Sequence, residues 1–214
     1  MADEKRPRRI VVLISGSGTN LQALIDAQNT PALPNTQIVL VLSNRKAAYG
    51  LTRATSATPP IPTDYLALQP YLKAHAAAGA TRPDYDREVA RRVAAAQPDL
   101  VVLAGWMHVL SEPFLDALAP TPVINLHPAL PGAFDGAHAI ERAYAAFQAG
   151  EVDRVGAMVH RVVKEVDRGE PLVVREVEIQ KGEPLEAFEE RLHRAEWEII
   201  VEGARKALDE VRPP

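Results

Sequence analysis

The chain has 214 residues, 47% hydrophobic and 24% charged, and its formal charge of -4 is spread without a block. That balance suits a globular core and gives no electrostatic footing for nucleic acid or an anionic membrane. With no cysteine in the chain, disulfides, thiolate metal sites and a cysteine nucleophile are excluded.

Met1 to Arg9 is charged and lacks the apolar stretch of a secretory signal, so a cytoplasmic protein is expected. Ile10 to Ile14 is an unbroken apolar run, the pattern of a strand buried on both faces. Ser15-Gly16-Ser17-Gly18-Thr19-Asn20 follows, and Leu21 to Ala27 has helical periodicity. Thr36 to Ser43 reads as a second strand with Asn44-Arg45-Lys46 as its exit, and Tyr49 to Thr55 as a short helix. Pro59-Pro60 interrupts the chain before Ile61 to Leu68, the expected third strand, and Gln69 to Ala80 gives only a weak helical or mobile signal. Asp84 to Ala96 has helical spacing with Pro83 in its first turn. Leu100 to Ala104 and Val123 to Leu126 read as the fourth and fifth strands. This alternation predicts an α/β fold, a mostly parallel twisted sheet with helices on both faces.

Beyond the fifth strand the pattern changes. Ala139 to Gln148 reads as a helix stopped by Gly150, with His138 at its start. Val155 to Val163 and Leu172 to Ile179 then read as strands joined by a loop, an antiparallel addition to the sheet. Pro184 opens a long helix to about Val211. No repeat or low-complexity linker divides the chain, so a single domain over residues 9–211 is expected behind a charged extension, 1–8.

A strand, then Gly16-Ser17-Gly18-Thr19-Asn20, then a helix is the layout of an anion cradle. Glycines let the backbone turn tightly, and the free N–H groups of the helix start face the ligand. A dinucleotide fingerprint would need glycine where Leu21 stands and an acidic residue where Ser43-Asn44-Arg45 stands. The Gly-Lys-Ser/Thr of a P-loop is also missing. The loop therefore reads as a monophosphate cradle, with a plain helix-capping turn as the alternative.

Val123-Ile124-Asn125-Leu126-His127-Pro128 ends an apolar strand in a carboxamide and an imidazole two residues apart. In α/β proteins, side chains at the carboxyl ends of strands face the ligand crevice. Asn offers a neutral N–H donor, and His a group that exchanges a proton near neutrality. The pair suits a reaction in which a carbonyl oxygen gains negative charge while a proton moves. A capped strand end followed by a surface loop is the competing reading.

Four ordered segments together resemble the phosphoribosylglycinamide formyltransferase family, among the folate-dependent formyltransferases. They are Ile14 to Gln22, Leu103-Ala104-Gly105-Trp106-Met107, Asn125-Leu126-His127-Pro128-Ala129-Leu130 and Glu165-Val166-Asp167-Arg168-Gly169-Glu170-Pro171. The resemblance implies a Rossmann-like formyltransferase fold and transfer of a formyl group from 10-formyltetrahydrofolate to the amine of glycinamide ribonucleotide, in purine biosynthesis. It implies small-molecule substrates, with no metal, nucleic acid or membrane. The six histidines show no His-x-x-x-His spacing.

Carried over by position, the resemblance puts Asn125, His127 and Asp167 at the reacting centre, with His160 in support. The carboxylate is expected to raise the imidazole pKa of His127. Gly18, Thr19 and Asn20 would hold the ribonucleotide phosphate, and His193 and Glu196 would contact the same substrate. Arg82, Trp106, Met107, His108, Val109 and Leu110 would bind the folate, joined by Asn125, Val163, Lys164, Glu165, Val166 and Asp167. His108 stands where many relatives carry arginine. The stretch Ala129 to Gly136 is shorter before its proline and acidic after it, so another loop conformation is expected there.

Other formyl-folate enzymes share the Asn and His-Pro motifs. A methionyl-tRNA formyltransferase would carry an additional basic C-terminal domain, and a formyltetrahydrofolate hydrolase an N-terminal regulatory one. From other classes, a nicotinamide-dependent oxidoreductase and a non-catalytic phosphate-binding protein remain the rivals.

Overall fold

The apolar run that opens the domain divides its side chains between two cores. In the computed structural model, which describes residues 6–213, β1 spans Arg8–Ile14. Ile10, Val12 and Ile14 join one buried cluster, whereas Val11 and Leu13 join another. A period of two sends successive side chains to opposite faces, so a strand covered on both sides must be apolar throughout. The strand β4, Leu100–Leu103, repeats the division.

After β1 come α1 (Thr19–Ala27), β2 (Thr36–Ser43), α2 (Tyr49–Thr55), β3 (Thr63–Tyr65), α3 (Leu68–Ala74) and α4 (Arg82–Ala95). After β4 come α5 (Glu112–Leu118), β5 (Val123–His127), α6 (Ala139–Ala149), β6 (Val155–Arg161), β7 (Pro171–Val177) and α7 (Leu185–Val211). The strands form one sheet in the order β3-β2-β1-β4-β5-β6-β7. Pairings are parallel from β3 through β5, whereas β6 and β7 are each antiparallel to the preceding strand. Residues from α1, α6 and α7 fill one core, and residues from α4 and α5 the other. The strand order reverses between β1 and β4, the place where open α/β sheets leave a crevice for ligands. No helix among the described residues is long and apolar enough to cross a membrane.

The third strand is much shorter than the expected 61–68. Ile61 is pinned by its N–H to the carbonyl of Ala54, and the strand register holds for Thr63, Asp64 and Tyr65 alone, opposite Val41, Leu42 and Ser43. Leu68 already begins α3, and the weak signal of Gln69 to Ala80 resolves into that helix and a 3-10 turn over Ala76–Ala78. The helix α5 was not anticipated. It carries start signals in Ser111-Glu112-Pro113, yet seven residues give too little periodicity to register.

Strand β1 begins one residue inside the expected charged extension, and residues 1–5 of that extension lie outside the described residues. Arg8 is fully buried, with Nη1 2.5 Å from Asp209 Oδ1 and Nη2 2.5 Å from the carbonyl oxygen of Pro34. It fastens the first strand to the last helix.

Candidate active site

Asn125 and His127 lie two residues apart on β5 and so share a face of the sheet. Antiparallel pairing sets His160 of β6 directly opposite Asn125. The loop between β6 and β7 folds back tightly. A Cβ on Gly169 would fall 1.7 Å from the carbonyl oxygen of Arg161, and the Arg161 N–H donates to the carbonyl of Glu170. Only glycine permits that approach. The turn places Asp167, itself in the left-handed region at φ 55°, over the strand residues.

Four side chains meet there. Asp167 Oδ2 is 3.5 Å from His127 Nδ1 and accepts the backbone N–H of Gly136 at 2.9 Å. Asp167 Oδ1 is 3.4 Å from both Asn125 Nδ2 and His160 Nε2. His160 Nδ1 lies 2.8 Å from the Arg161 carbonyl oxygen, which can only accept, so Nδ1 carries a proton. In the neutral imidazole, Nε2 then accepts from Asn125 Nδ2 at 3.1 Å. Both hydrogens of the Asn125 amide are thus engaged, one by His160 and one by Asp167. His127 is only 4% exposed, and its Nε2 has no hydrogen-bond partner.

Burial sets the charge of His127. Desolvation lowers its pKa from the ordinary 6.5, and the neighbouring His160 adds to the lowering. Asp167 and the backbone of Ala133 and Phe134 pull the other way without prevailing. This corrects the expectation of a raised value: the carboxylate is present, but removing the imidazolium from water costs more. For Asp167, burial opposes ionisation, yet the adjacent His160 ring, the donated Gly136 N–H and the nearness of His127 hold the carboxyl below its usual range. The altered loop after His127 is docked on this centre, because Asp135 Oδ2 lies 2.5 Å from Arg168 Nη2 beside the Gly136 contact.

The glycine turn forms a second locus. Gly18 caps α1 at φ 72°, and a Cβ there would fall 2.6 Å from Gly50 Cα. The Gly50 N–H donates to the carbonyl of Gly16, and Arg53 Nε donates to that of Ser17 at 2.8 Å. Helix α2 therefore braces the loop. Asn20 Nδ2 lies 3.4 Å from Glu196 Oε2, so α7 delivers Glu196 to the first turn of α1. Glu196 is 4% exposed, and burial pushes its carboxyl up to about 7 against a lowering bond from Asn20. His193 lies one turn earlier on the same helix and is half-buried.

Residues 8–203 match the family model described as formyl transferase. The chain is also 50% identical over 202 residues to phosphoribosylglycinamide formyltransferase of Schizosaccharomyces pombe, an alignment covering 93% of this chain and 96% of that one. The chain belongs to the formyl transferase family. The Saccharomyces cerevisiae phosphoribosylglycinamide formyltransferase is 48% identical over 212 residues, with 95% of this chain and 98% of that one covered. The crystal structure of glycinamide ribonucleotide transformylase 1 from Symbiobacterium toebii is similar at a TM-score of 0.82 and 31% identity, over 98% of this chain and 92% of that one.

In this formyl transferase the loop after β4 divides its expected folate contacts. Trp106 and Leu110 pack into the core formed with α4 and α5, whereas Met107 and Val109 stay 70% and 53% exposed. Arg82 Nη2 donates to the carbonyl of Val109 at 2.6 Å, and His108 Nε2 lies 2.7 Å from Asp86 Oδ1. Val163 and Val166 are exposed on the β6–β7 loop, and Lys164 Nζ ties that loop to Glu112 Oε2 at 3.0 Å. Glu165 is exposed beside them.

Three contributors escaped sequence reasoning. The buried Ser15 hydroxyl accepts the Met107 N–H at 2.7 Å and donates to Asn44 Oδ1 at 2.7 Å, joining the loops after β1, β2 and β4. Gly50 and Arg53 brace the cradle from a helix whose sequence shows only a short amphipathic run. No local pattern marks such contacts, because each partner is at least 29 residues away in sequence.

Proposed function

We propose that this formyl transferase moves a formyl group from 10-formyltetrahydrofolate to the amino group of glycinamide ribonucleotide, as a cytoplasmic enzyme of purine biosynthesis acting on small molecules. The convergence of Asn125, His127 and Asp167 on one face of β5 carries the reading, and the names of its close relatives support the substrates. The surroundings fit a flat heterocycle, because exposed Met107 and Val109 offer apolar walls beside buried polar groups. The formyl folate supplies an electrophilic carbonyl carbon.

The protein's own residues supply the rest. Gly18, Thr19 and Asn20 hold the ribonucleotide phosphate with backbone N–H groups, and Glu196 and His193 contact the remainder of that substrate. His127 is neutral before reaction, with Nδ1–H toward Asp167, so its unpartnered Nε2 takes the proton from the attacking amine. The ionised Asp167 stabilises the imidazolium, which hands that proton to the folate nitrogen as the bond between that nitrogen and the formyl carbon breaks and tetrahydrofolate leaves. Asn125 turns one N–H from Asp167 to the formyl oxygen as that oxygen gains charge. His160 holds the amide in the orientation from which this happens.

The test mixes the protein with both substrates and follows loss of the formyl folate, with omission of the ribonucleotide separating transfer from hydrolysis. Loss only when both are present is the expected result; loss without the ribonucleotide, or none at all, would overturn the reading.

A further inference from the structure

Helix α4 presents two side chains, one turn apart, to the loop after β4. Arg82 reaches the carbonyl of Val109, and Asp86 is fully buried beneath the loop. Both oxygens of the Asp86 carboxylate are engaged: Oδ1 lies 2.7 Å from His108 Nε2, and Oδ2 accepts the Ser111 N–H at 2.9 Å. The His108 ring stands edge-on to Tyr85 and to Trp106, at centroid distances of 5.3 and 6.3 Å. Burying a carboxylate is costly unless it is fully paired. A helix that already fills its core with Tyr85, Val89 and Val93 gains no packing from that charge. What the charge does is fix both ends of the stretch His108 to Ser111, which carries the outward Val109 and directly follows the outward Met107.

We propose that Asp86 and His108 are positioning residues for the formyl donor, locking the loop so that Met107 and Val109 form a ready-made apolar wall. This rests on the donor reading given under Proposed function. The resemblance placed His108 among the folate contacts; its Nε2 lies 2.7 Å from Asp86 Oδ1, which gives the ring a positioning role. Preorganising a binding wall strengthens binding by removing the cost of ordering it, so the effect belongs to donor affinity and not to the chemical step.

The chain has two tryptophans, Trp106 and Trp197. In a Trp197→Phe background, Trp106 reports on the loop with no substrate present. His108→Ala is expected to raise acrylamide quenching of Trp106 at least about twofold. It is expected to raise the donor KM about tenfold, with kcat and the ribonucleotide KM within about twofold. His108→Arg, whose guanidinium can reach the same carboxylate, restores both values. Asp86→Asn, once a thermal melt shows it folded, should behave like His108→Ala. Unchanged quenching and donor KM in His108→Ala, or failure of His108→Arg to differ from it, would overturn the proposal. Absence of transfer by the parent protein would instead overturn the proposed function, which the Trp106 signal does not depend on.

Discussion

Asn125 and His160, 35 residues apart in the chain, face each other across the antiparallel β5–β6 pair, with Nδ2 3.1 Å from Nε2. The imidazole is itself fixed by the Arg161 carbonyl, so the orientation of the amide is decided two bonds away from any substrate. His160→Ala removes that acceptor. It is expected to lower kcat about tenfold while each KM stays within about threefold, as for an interaction felt mainly in the transition state. Steady-state kinetics with both substrates varied would check it, and a change confined to KM would contradict it.

His127→Ala and Asp167→Asn are each expected to cut formyl transfer at least about tenfold with the protein still folded. Circular dichroism and a thermal melt establish the second condition. Full activity in both variants would end the catalytic assignment.

The acid side of the pH profile follows from the lowered pKa of His127. If the neutral imidazole is the working form, kcat/KM falls with acid only below pH 6.5, as His127 becomes protonated. Asp167 raises that pKa and His160 lowers it. Removing the carboxylate in Asp167→Asn therefore moves the residual acid limb to still lower pH, and His160→Gln moves it upward. Limbs shifting the opposite way would rule out His127 as the titrating group.

Gly169→Ala touches no catalytic side chain, yet its Cβ would overlap the Arg161 carbonyl oxygen. The β6–β7 loop must then move and take Asp167 with it. Activity should fall by an order of magnitude or more, with a stability loss of about 1–3 kcal/mol, read by denaturant titration. Wild-type kinetics in this variant would mean that the loop position is unimportant.

Glu196 is a buried acid whose proton bears on stability. Its folded pKa of about 7 stands above the ordinary 4.5. Between those values the unfolded chain is ionised while the folded protein keeps the proton, so stability declines as pH rises through that window and levels off above it. Glu196→Gln should remove the decline and leave the protein up to about 3 kcal/mol more stable than the parent at pH 8, relative to their difference at pH 4.5. Parallel stability curves from pH 4.5 to 8 would contradict the buried-acid assignment.

Much of this protein is legible from local pattern alone. The apolar runs of β1 and β4 announce a two-faced sheet because every side chain of such a strand is buried. The strand-to-glycine-to-helix layout at Gly16 to Asn20 announces the tight turn capped by Gly18, because only backbone geometry is involved. The spacing of Asn125 and His127 fixes their common face through the two-residue period of a strand. Tertiary structure decided what depends on distant segments. The length of β3 was set by the three residues held in register with β2, not by the apolar content of Ile61 to Leu68. The pKa of His127 was set by its burial, which outweighs a carboxylate that the sequence motif did reveal. Asp86 beneath His108, Gly50 against Gly18 and Glu196 beside Asn20 left no trace in spacing, because desolvation and close approach are properties of the assembled chain.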